Sequence, residues 1–557
     1  MDKVILTYIG FFAGILVLVC IKAVFDRRHR KEHFYQQLRN NWGQASQREY
    51  SLIEMDKLTH YFYLKEQEGF VIDDITWKDL DMDRVFRQMN QTCSSIGEEY
   101  LYNLLRTPCF QKEELEKRNE LIRFFEEHEE DRMLVQEIFG NMGRTRQVSV
   151  AGYLTQFEEL TVKNPLRYYA HQLALILAIV CLFLVPSVGV AALLSALAWN
   201  VISYFREKRE MESYLEAFSY ISNVLSKAYL FERVKAPFLQ PYVKEIIKKA
   251  EALKKFRKGR WLLKSGSDLS GGLEDVLMDY LRVLFHVDLA QFNKMLRELY
   301  AHKEELMFLY EDMGYLESMI CIASYRVFLG NYAVPEFIKE GIHAEEMYHP
   351  LISDPVDSSI TVVKGVLLTG SNASGKSTFL RTMAINCILA QTIDTTAASH
   401  FSMPFGKVYS SMALQDNLEG EESYFIVEIK SLKRILDAVG EMPVICFVDE
   451  VLRGTNTVER IAASAEILNS LSNFNMYCFA ATHDIELTYL LEEKYDNYHF
   501  SEQIQEGEVL FNYKLQNGRA TSRNAIQLLE IMGYQPWMIE RARERAQYFM
   551  EHNSWKM

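Results

Sequence analysis

The chain has 557 residues, 49% of them hydrophobic, with 26 glycines and 11 prolines, a size and texture that exclude collagen-like, disordered and small disulfide-stapled classes and suggest three to four domain-sized units rich in helix. Lys+Arg 61 against Asp+Glu 75 gives a net charge of -14, so the whole molecule is not drawn to polyanions and any such binding needs a local basic patch. The eight cysteines are scattered without a C-x-x-C pair, so neither a disulfide framework nor a zinc site is expected.

Val4 to Ile21 carries no charge and is followed at once by Arg27, Arg28, Arg30 and Lys31. The length suits a bilayer span, and the basic flank puts its carboxyl side in the cytoplasm. A cleaved signal peptide would have a shorter apolar core and an A-x-A-like site, and no such site precedes the basic cluster. Within the run, Gly10 and Gly14 form a G-x-x-x-G, a spacing that lets helices approach closely and also arises by chance in apolar segments.

Residues 32 to 167 and 210 to 340 are rich in Leu, Glu, Lys, Arg and Tyr with apolar residues at three- and four-residue spacing, and read as helical. Between them, Tyr168 to Phe205 is apolar and broken by Pro186, Ser187 and Gly189, the composition of a helical hairpin. Lys163 and Arg167 before it, and Arg206, Lys208 and Arg209 after it, give both ends a cytoplasmic flank. Each arm is short enough that a re-entrant hairpin or a buried core remains an alternative. The chain is therefore expected to be a multi-pass protein of the cytoplasmic membrane with its large polar segments in the cytoplasm.

Tyr242 to Lys264 is the dense basic stretch: Lys244, Lys248, Lys249, Lys254, Lys255, Arg257, Lys258, Arg260 and Lys264 stand against Glu245 and Glu251, with Tyr242, Phe256 and Trp261 interleaved. Such a stretch can grip nucleic-acid phosphates, lie on anionic lipid, or form a solvated helix face. Lys248, Lys249, Lys254, Lys255, Arg257, Lys258 and Arg260 are the candidate DNA or lipid contacts. Leu269-Ser270-Gly271-Gly272 spells the start of a transporter signature but lies about a hundred residues before the phosphate loop, on the wrong side of it, and reads as a loop.

From about Met347 short β-branched runs such as Ile360 to Val363 and Val366 to Leu368 alternate with helix-like stretches, the pattern of an α/β domain with a mostly parallel sheet. Gly370-Ser371-Asn372-Ala373-Ser374-Gly375-Lys376-Ser377-Thr378 follows the apolar run Gly365 to Thr369 and precedes a helix-like stretch from Phe379 to Gln391. It is a full G-x-x-x-x-G-K-[ST] in a strand–loop–helix setting: backbone N–H groups and a helix N-terminus face phosphate oxygens, Lys376 bridges the β- and γ-phosphates, and the Ser377 hydroxyl ligates Mg²⁺. Val444 to Val448 then delivers Asp449 and Glu450 at a strand end, suited to a metal-side carboxylate and a base that polarises water. After the apolar run Met476 to Ala481 come Thr482 and His483, an imidazole at the third strand end, placed to sense the γ-phosphate.

In this order the motifs resemble the MutS family, whose nucleotide domain carries G-x-N-x-x-G-K-S-T, a D-x-L…S-x-F-x-x-E segment, D-E-x-x-R-G-T and A-T-H. The matching residues are Gly370 to Thr378, Asp416 to Glu428, Asp449-Glu450 with Arg453-Gly454-Thr455, and Ala481-Thr482-His483. The resemblance extends to His349-Pro350, to Tyr513-Lys514-Leu515 and Ile539 to Ala542, and weakly to a helical lever opening at Arg84 to Arg123. It implies an α/β P-loop ATPase domain of ABC-like fold preceded by an all-α lever region with transmembrane helices, ATP with Mg²⁺, a homodimer through the ATPase domains, and Ser423 reaching the partner's nucleotide. The expected layout is an anchor at 1–25, a juxtamembrane linker at 26–75, lever parts at 76–167 and 206–345 around a hairpin at 168–205, and the ATPase at 346–557. The family's mismatch-reading domain has no counterpart here, and the F-x-E of Phe157-Glu158-Glu159 just before the hairpin reads as a chance match. The resemblance implies ATP-dependent binding or sensing of DNA structure; a membrane motor or scaffold acting on lipid or protein is the rival, and a transporter the third reading.

Overall fold

The computed structural model describes residues 21–557 except 23–24, 27, 66–68, 146–148, 150, 153–163, 165, 258–279, 372–373, 413–423, 453–454, 506–507, 521–524, 553 and 556–557. Val4 to Cys20, Phe157-Glu158-Glu159, Lys258, Arg260, Leu269 to Gly272, Asn372, Ala373, Asp416 and Ser423 therefore lie outside the described residues. The chain forms two compact units: residues 1–66, 89–103 and 121–328 make one, and residues 67–88, 104–120 and 329–557 the other. The sequence reading groups 76–88 and 104–120 with the helical lever; the structure packs both within the second unit.

The first unit is helical throughout its described elements. Its apolar core gathers Leu58 and Tyr61 from the helix Leu52–Leu64, Ile138 and Phe139 from Glu129–Met142, and Leu309, Met313 and Ile320 from Lys303–Leu329, all almost fully buried. Leu52–Leu64 starts with a capping box, in which the Ser51 hydroxyl accepts from the Glu54 N–H and the Glu54 carboxylate accepts from the Ser51 N–H.

Three carboxylates lie inside this core. Glu98 accepts from Lys57 Nζ at 3.1 Å and Arg48 Nη1 at 2.5 Å. Glu99 accepts from the Tyr310 hydroxyl at 2.7 Å and the Ser149 hydroxyl at 3.2 Å. Glu317 accepts from the N–H groups of Cys93 and Ser94 and from the Ser94 hydroxyl. Burial pushes Glu99 and Glu317 up to about 7 each, against the lowering effect of these donors. Because the folded values exceed the unfolded ones, the native state holds extra protons between pH 4.5 and 7, and stability falls as pH rises through that window. At about 1.4 kcal/mol per pKa unit the two together amount to roughly 7 kcal/mol at most. Urea unfolding of the wild type should show a higher midpoint at pH 5 than at pH 8, and Glu99→Gln with Glu317→Gln should flatten that difference. An identical pH response in the double variant would remove these two groups as its source.

The apolar hairpin consists of the helices Leu166–Leu184 and Pro186–Ala228, joined at Val185. Both contain segments long and apolar enough to cross a membrane, with 22% and 17% of those segments buried. Leu173, Leu177, Phe183, Leu194, Trp199 and Ile202 are among the exposed side chains. The second helix runs on for 43 residues rather than ending near Phe205, since beyond Gly189 it contains neither glycine nor proline to stop it. At the polar end of the hairpin the arms are latched to each other, Tyr168 donating to Glu207 at 3.0 Å and His171 pairing with Asn200 at 3.0 Å, while Tyr204 donates to Asp288 of the helix Val287–Ala301 at 2.9 Å.

The second unit holds two sheets. Strands β1 (Glu336–Phe337), β2 (Ile342–Met347), β3 (Ser358–Val362) and β5 (His400–Met403) form a four-stranded sheet in the order β1-β5-β2-β3. Strands β4 (Gly365–Thr369), β6 (Lys407–Ser411), β7 (Val444–Asp449), β8 (Met476–Ala481), β9 (Tyr495–Gln505) and β10 (Glu508–Asn517) form the larger one, in the order β10-β9-β4-β8-β7-β6. Every neighbour in it is parallel except β10, which pairs antiparallel with β9. The long run of apolar residues in β4, β7 and β8 follows from this, because a parallel strand is covered on both faces. Edge strand β6 is closed by the helix Asp74–Asp79: Ser410 N–H donates to Thr76 Oγ1 at 3.1 Å, and Asp79 Oδ2 accepts from the Ser410 hydroxyl at 2.7 Å and Met412 N–H at 2.9 Å.

Candidate functional site

Strand β4 is buried over its whole length and lies between β8 and β9. Its register aligns Leu368 with Ala481 of β8, and Ala481 in turn aligns with Asp449 of β7. Three parallel strands thus end level, and Gly370, Glu450 and Thr482 each begin the segment that leaves its strand. Loops at the carboxyl ends of adjacent parallel strands are where α/β sheets hold ligands.

The loop after β4 enters the helix Lys376–Ile393 through Gly375. Gly370 has φ +146° and Gly375 φ +115°, conformations that side-chain-bearing residues avoid. A Cβ on Gly370 would stand 2.7 Å from Phe500 O and 2.9 Å from Ser374 Oγ. Lys376 Nζ donates to Gly370 O at 2.8 Å and Ser371 O at 2.7 Å, folding the ammonium back over the loop. The Ser374 hydroxyl is buried and makes no hydrogen bond among the described residues. A buried hydroxyl left in that state, beside an ammonium and a helix N-terminus, fits an anion carrying several oxygens. Ser377 and Asp449 are half-buried and offer the hard oxygen donors that suit Mg²⁺. Thr378 is exposed at the start of the helix.

Past β7 the backbone turns through two left-handed non-glycine residues, Glu450 at φ 62° and Leu452 at φ 59°. Each such conformation costs roughly 1–3 kcal/mol and persists only when surrounding bonds enforce it. Glu450 N–H donates to Ala481 O at 3.0 Å, Leu452 N–H donates to the buried Glu428 carboxylate at 2.6 Å, and the Ser464 hydroxyl donates to Val451 O at 3.1 Å. The turn holds the Glu450 carboxylate 2.8 Å from His483 Nε2. Arg460 fixes the His483 segment with a two-pronged contact to Asp484, at 2.8 and 2.6 Å. Thr482 N–H donates to Leu368 O at 2.9 Å, tying the same segment to β4.

Glu450 and His483 are therefore brought together, with the imidazole resting on the carboxylate. The Glu428 latch and the Arg460–Asp484 fork carry no motif of their own; Glu428 is visible in the sequence only as the end of the Ser423 segment. In the basic stretch, Lys249 is bound to Asp312 at 2.5 Å and lies over the Phe308 ring, while Lys248 pairs with Glu245 at 3.6 Å. Phe256 is buried against Phe218, and Tyr242 stacks on Tyr315. The aromatics described there serve packing, and Lys254 and Lys255 remain exposed.

These features make the second unit an α/β domain whose candidate site lies at the carboxyl ends of adjacent parallel strands. Residues 366–550 match the family model described as MutS domain V. The chain is 27% identical over 282 residues to MutS protein homolog 4 of Homo sapiens, covering 47% of this chain and 30% of that protein. It is 32% identical over 179 residues to the DNA mismatch repair protein MutS of Thermus thermophilus, covering 32% and 22%, and 29% identical over 282 residues to that of Thermotoga maritima, covering 48% and 34%. The alignments span between a fifth and a third of the relatives' own length, and through this part of the chain they support the MutS family.

Proposed function

We propose that the protein is a membrane-anchored, Mg²⁺-dependent ATPase of the MutS type that binds or senses DNA structure under the control of ATP. The observation that carries the reading is the Glu450–His483 pair beside the Gly370 to Thr378 loop, on three level strand ends inside the segment that matches MutS domain V. In this reading the loop N–H groups and Lys376 hold the β- and γ-phosphates, with Ser371 and Ser374 completing the cradle. Ser377 and Asp449 would hold Mg²⁺, which when bound neutralises charge developing on the phosphates. Glu450 accepts a proton from the attacking water, and His483 keeps that carboxylate aimed. Asn372, Ala373 and the reach of Ser423 to a partner subunit rest on the family resemblance, as does the homodimer.

Support for membrane anchoring comes from the apolar run Val4 to Ile21 and from the two hairpin helices, which are mostly exposed where a core helix of a soluble protein would be mostly buried. The basic flanks then place the ATPase in the cytoplasm. Duplex binding by the full chain in detergent micelles, measured with ATP, with ADP and without nucleotide across a salt series, tests the DNA reading. Affinity should depend on nucleotide and fall with salt, and neutralising Lys254, Lys255, Arg257 and Lys258 together should flatten the salt slope by about 0.9 per lost contact. Absence of DNA binding in every nucleotide state would leave the second reading, an ATPase motor or scaffold on lipid or protein, which the exposed hairpin favours.

A further inference from the structure

A peptide group is planar and turns as a single body, so the bonds made by the group between Val451 and Leu452 decide the shape of the turn that carries Glu450. Its carbonyl, Val451 O, accepts from the Ser464 hydroxyl at 3.1 Å, and its N–H, on Leu452, donates to Glu428 Oε1 at 2.6 Å. One peptide plane is thus clamped at both ends by side chains from two helices, Thr457–Ser472 and Tyr424–Asp437. Both side chains are buried, Ser464 wholly and Glu428 to 3% exposure. Sequestering a carboxylate to hold one N–H is a costly device, and the phosphate cradle makes no use of it.

The clamp opposes one particular relaxation. Leu452, at φ 59°, occupies the left-handed region that a Cβ disfavours. Flipping the plane before it carries φ of Leu452 to the negative side and ψ of Val451 the opposite way, a rotation that need not move either side chain out of the apolar core they share with Val448, Leu468 and Leu471. Packing alone therefore does not block the flip; the two hydrogen bonds do. Glu450, also left-handed at φ 62°, is fixed on its amino side by the bond from its N–H to Ala481 O. The Val451–Leu452 plane is the joint on its carboxyl side, and its setting governs the aim of the Glu450 carboxylate, 2.8 Å from His483 Nε2.

We infer that Glu428 and Ser464 are positioning residues for hydrolysis: by locking this plane they keep Glu450 aimed at the attacking water, and they act only through Glu450. The inference rests on the ATPase reading proposed above.

The test uses the full chain in a neutral detergent with Mg²⁺ and ATP, and reads kcat, affinity for a fluorescent ATP analogue and thermal unfolding of each variant. Glu428→Ala should lower kcat about 10–100-fold, the scale of a catalytic group misplaced by about 1 Å, with analogue affinity unchanged. Glu428→Gln keeps an oxygen that can accept from Leu452 N–H and should recover most of the loss. Ser464→Ala, which removes only a hydroxyl, should lower kcat in the same direction, and it carries the test if Glu428→Ala does not fold. In a Glu450→Gln background Glu428→Ala should cost nothing further, because residues that act as a unit are not additive. Wild-type kcat in Glu428→Ala or in Ser464→Ala, parallel loss of kcat and affinity, or a full further loss on top of Glu450→Gln overturns the inference. A wild type that hydrolyses no ATP overturns the ATPase reading instead. Hydrogen exchange of the segment 450–452 then still reports on the clamp: it should quicken in Glu428→Ala, and unchanged exchange overturns the clamp itself.

Discussion

Lys376→Ala should abolish nucleotide binding, whereas Glu450→Gln should keep ATP bound and lose turnover by about 10²–10⁴-fold, the size expected when a positioned base is removed. The two outcomes differ because the two side chains do different work. Lys376 is the ammonium of the loop, already folded over it by bonds to Gly370 O and Ser371 O, and its loss removes charge from the phosphate cradle itself. Glu450 follows a different strand, on its own strained turn, and contacts His483, so the amide keeps the shape and loses only the capacity to take a proton. Equilibrium binding of a fluorescent ATP analogue and steady-state phosphate release, measured separately, distinguish the two. Wild-type turnover in Glu450→Gln would end the role given to that residue.

Gly97→Ala should destabilise the helical unit by roughly 2–5 kcal/mol, from overpacking together with broken carboxylate bonds. Gly97 lies in the helix Ser95–Arg106, where alanine is otherwise favoured over glycine by about 1 kcal/mol. Here an added Cβ would sit 2.5 Å from Glu317 Cδ and closer still to Oε2. Glu317 has nowhere to retreat, because Cys93 N–H, Ser94 N–H and the Ser94 hydroxyl hold it. Glu317→Ser opens the space, so the double variant should recover part of the loss. Thermal unfolding of both single variants and the double measures the coupling; strict additivity would show that the clash is not the cause.

The candidate site was legible because its residues are local in sequence: the glycines, Lys376 and Ser377 are contiguous, and Asp449-Glu450 and His483 each follow an apolar strand-like run. Parallel strands ending in register then bring the three together, as the order of the motifs implies. The supports were not legible, because Glu428 reaching Leu452, or Asp79 reaching Ser410 across 331 positions, depends on tertiary placement that no spacing encodes. The interior carboxylates were hidden for a related reason: Glu98 and Glu99 follow each other in a helical pattern that looks solvated, and packed donors such as Lys57, Arg48, Tyr310 and Ser149 make their burial tolerable. The basic stretch was over-read in part, since Lys249 and its aromatic neighbours turn inward to Asp312, Phe308, Phe218 and Tyr315.

The 43-residue helix Pro186–Ala228 has a mechanical consequence. At 1.5 Å per residue it is a rod about 65 Å long, and past Gly189 it has no glycine or proline at which to bend. Its apolar beginning and its packed end, where Phe218, Ile221 and Leu225 are buried, belong to one stiff body. A tilt or twist applied to the exposed apolar segment must therefore reappear at Ala228 instead of being absorbed in a joint, and torque on the packed end must travel the other way.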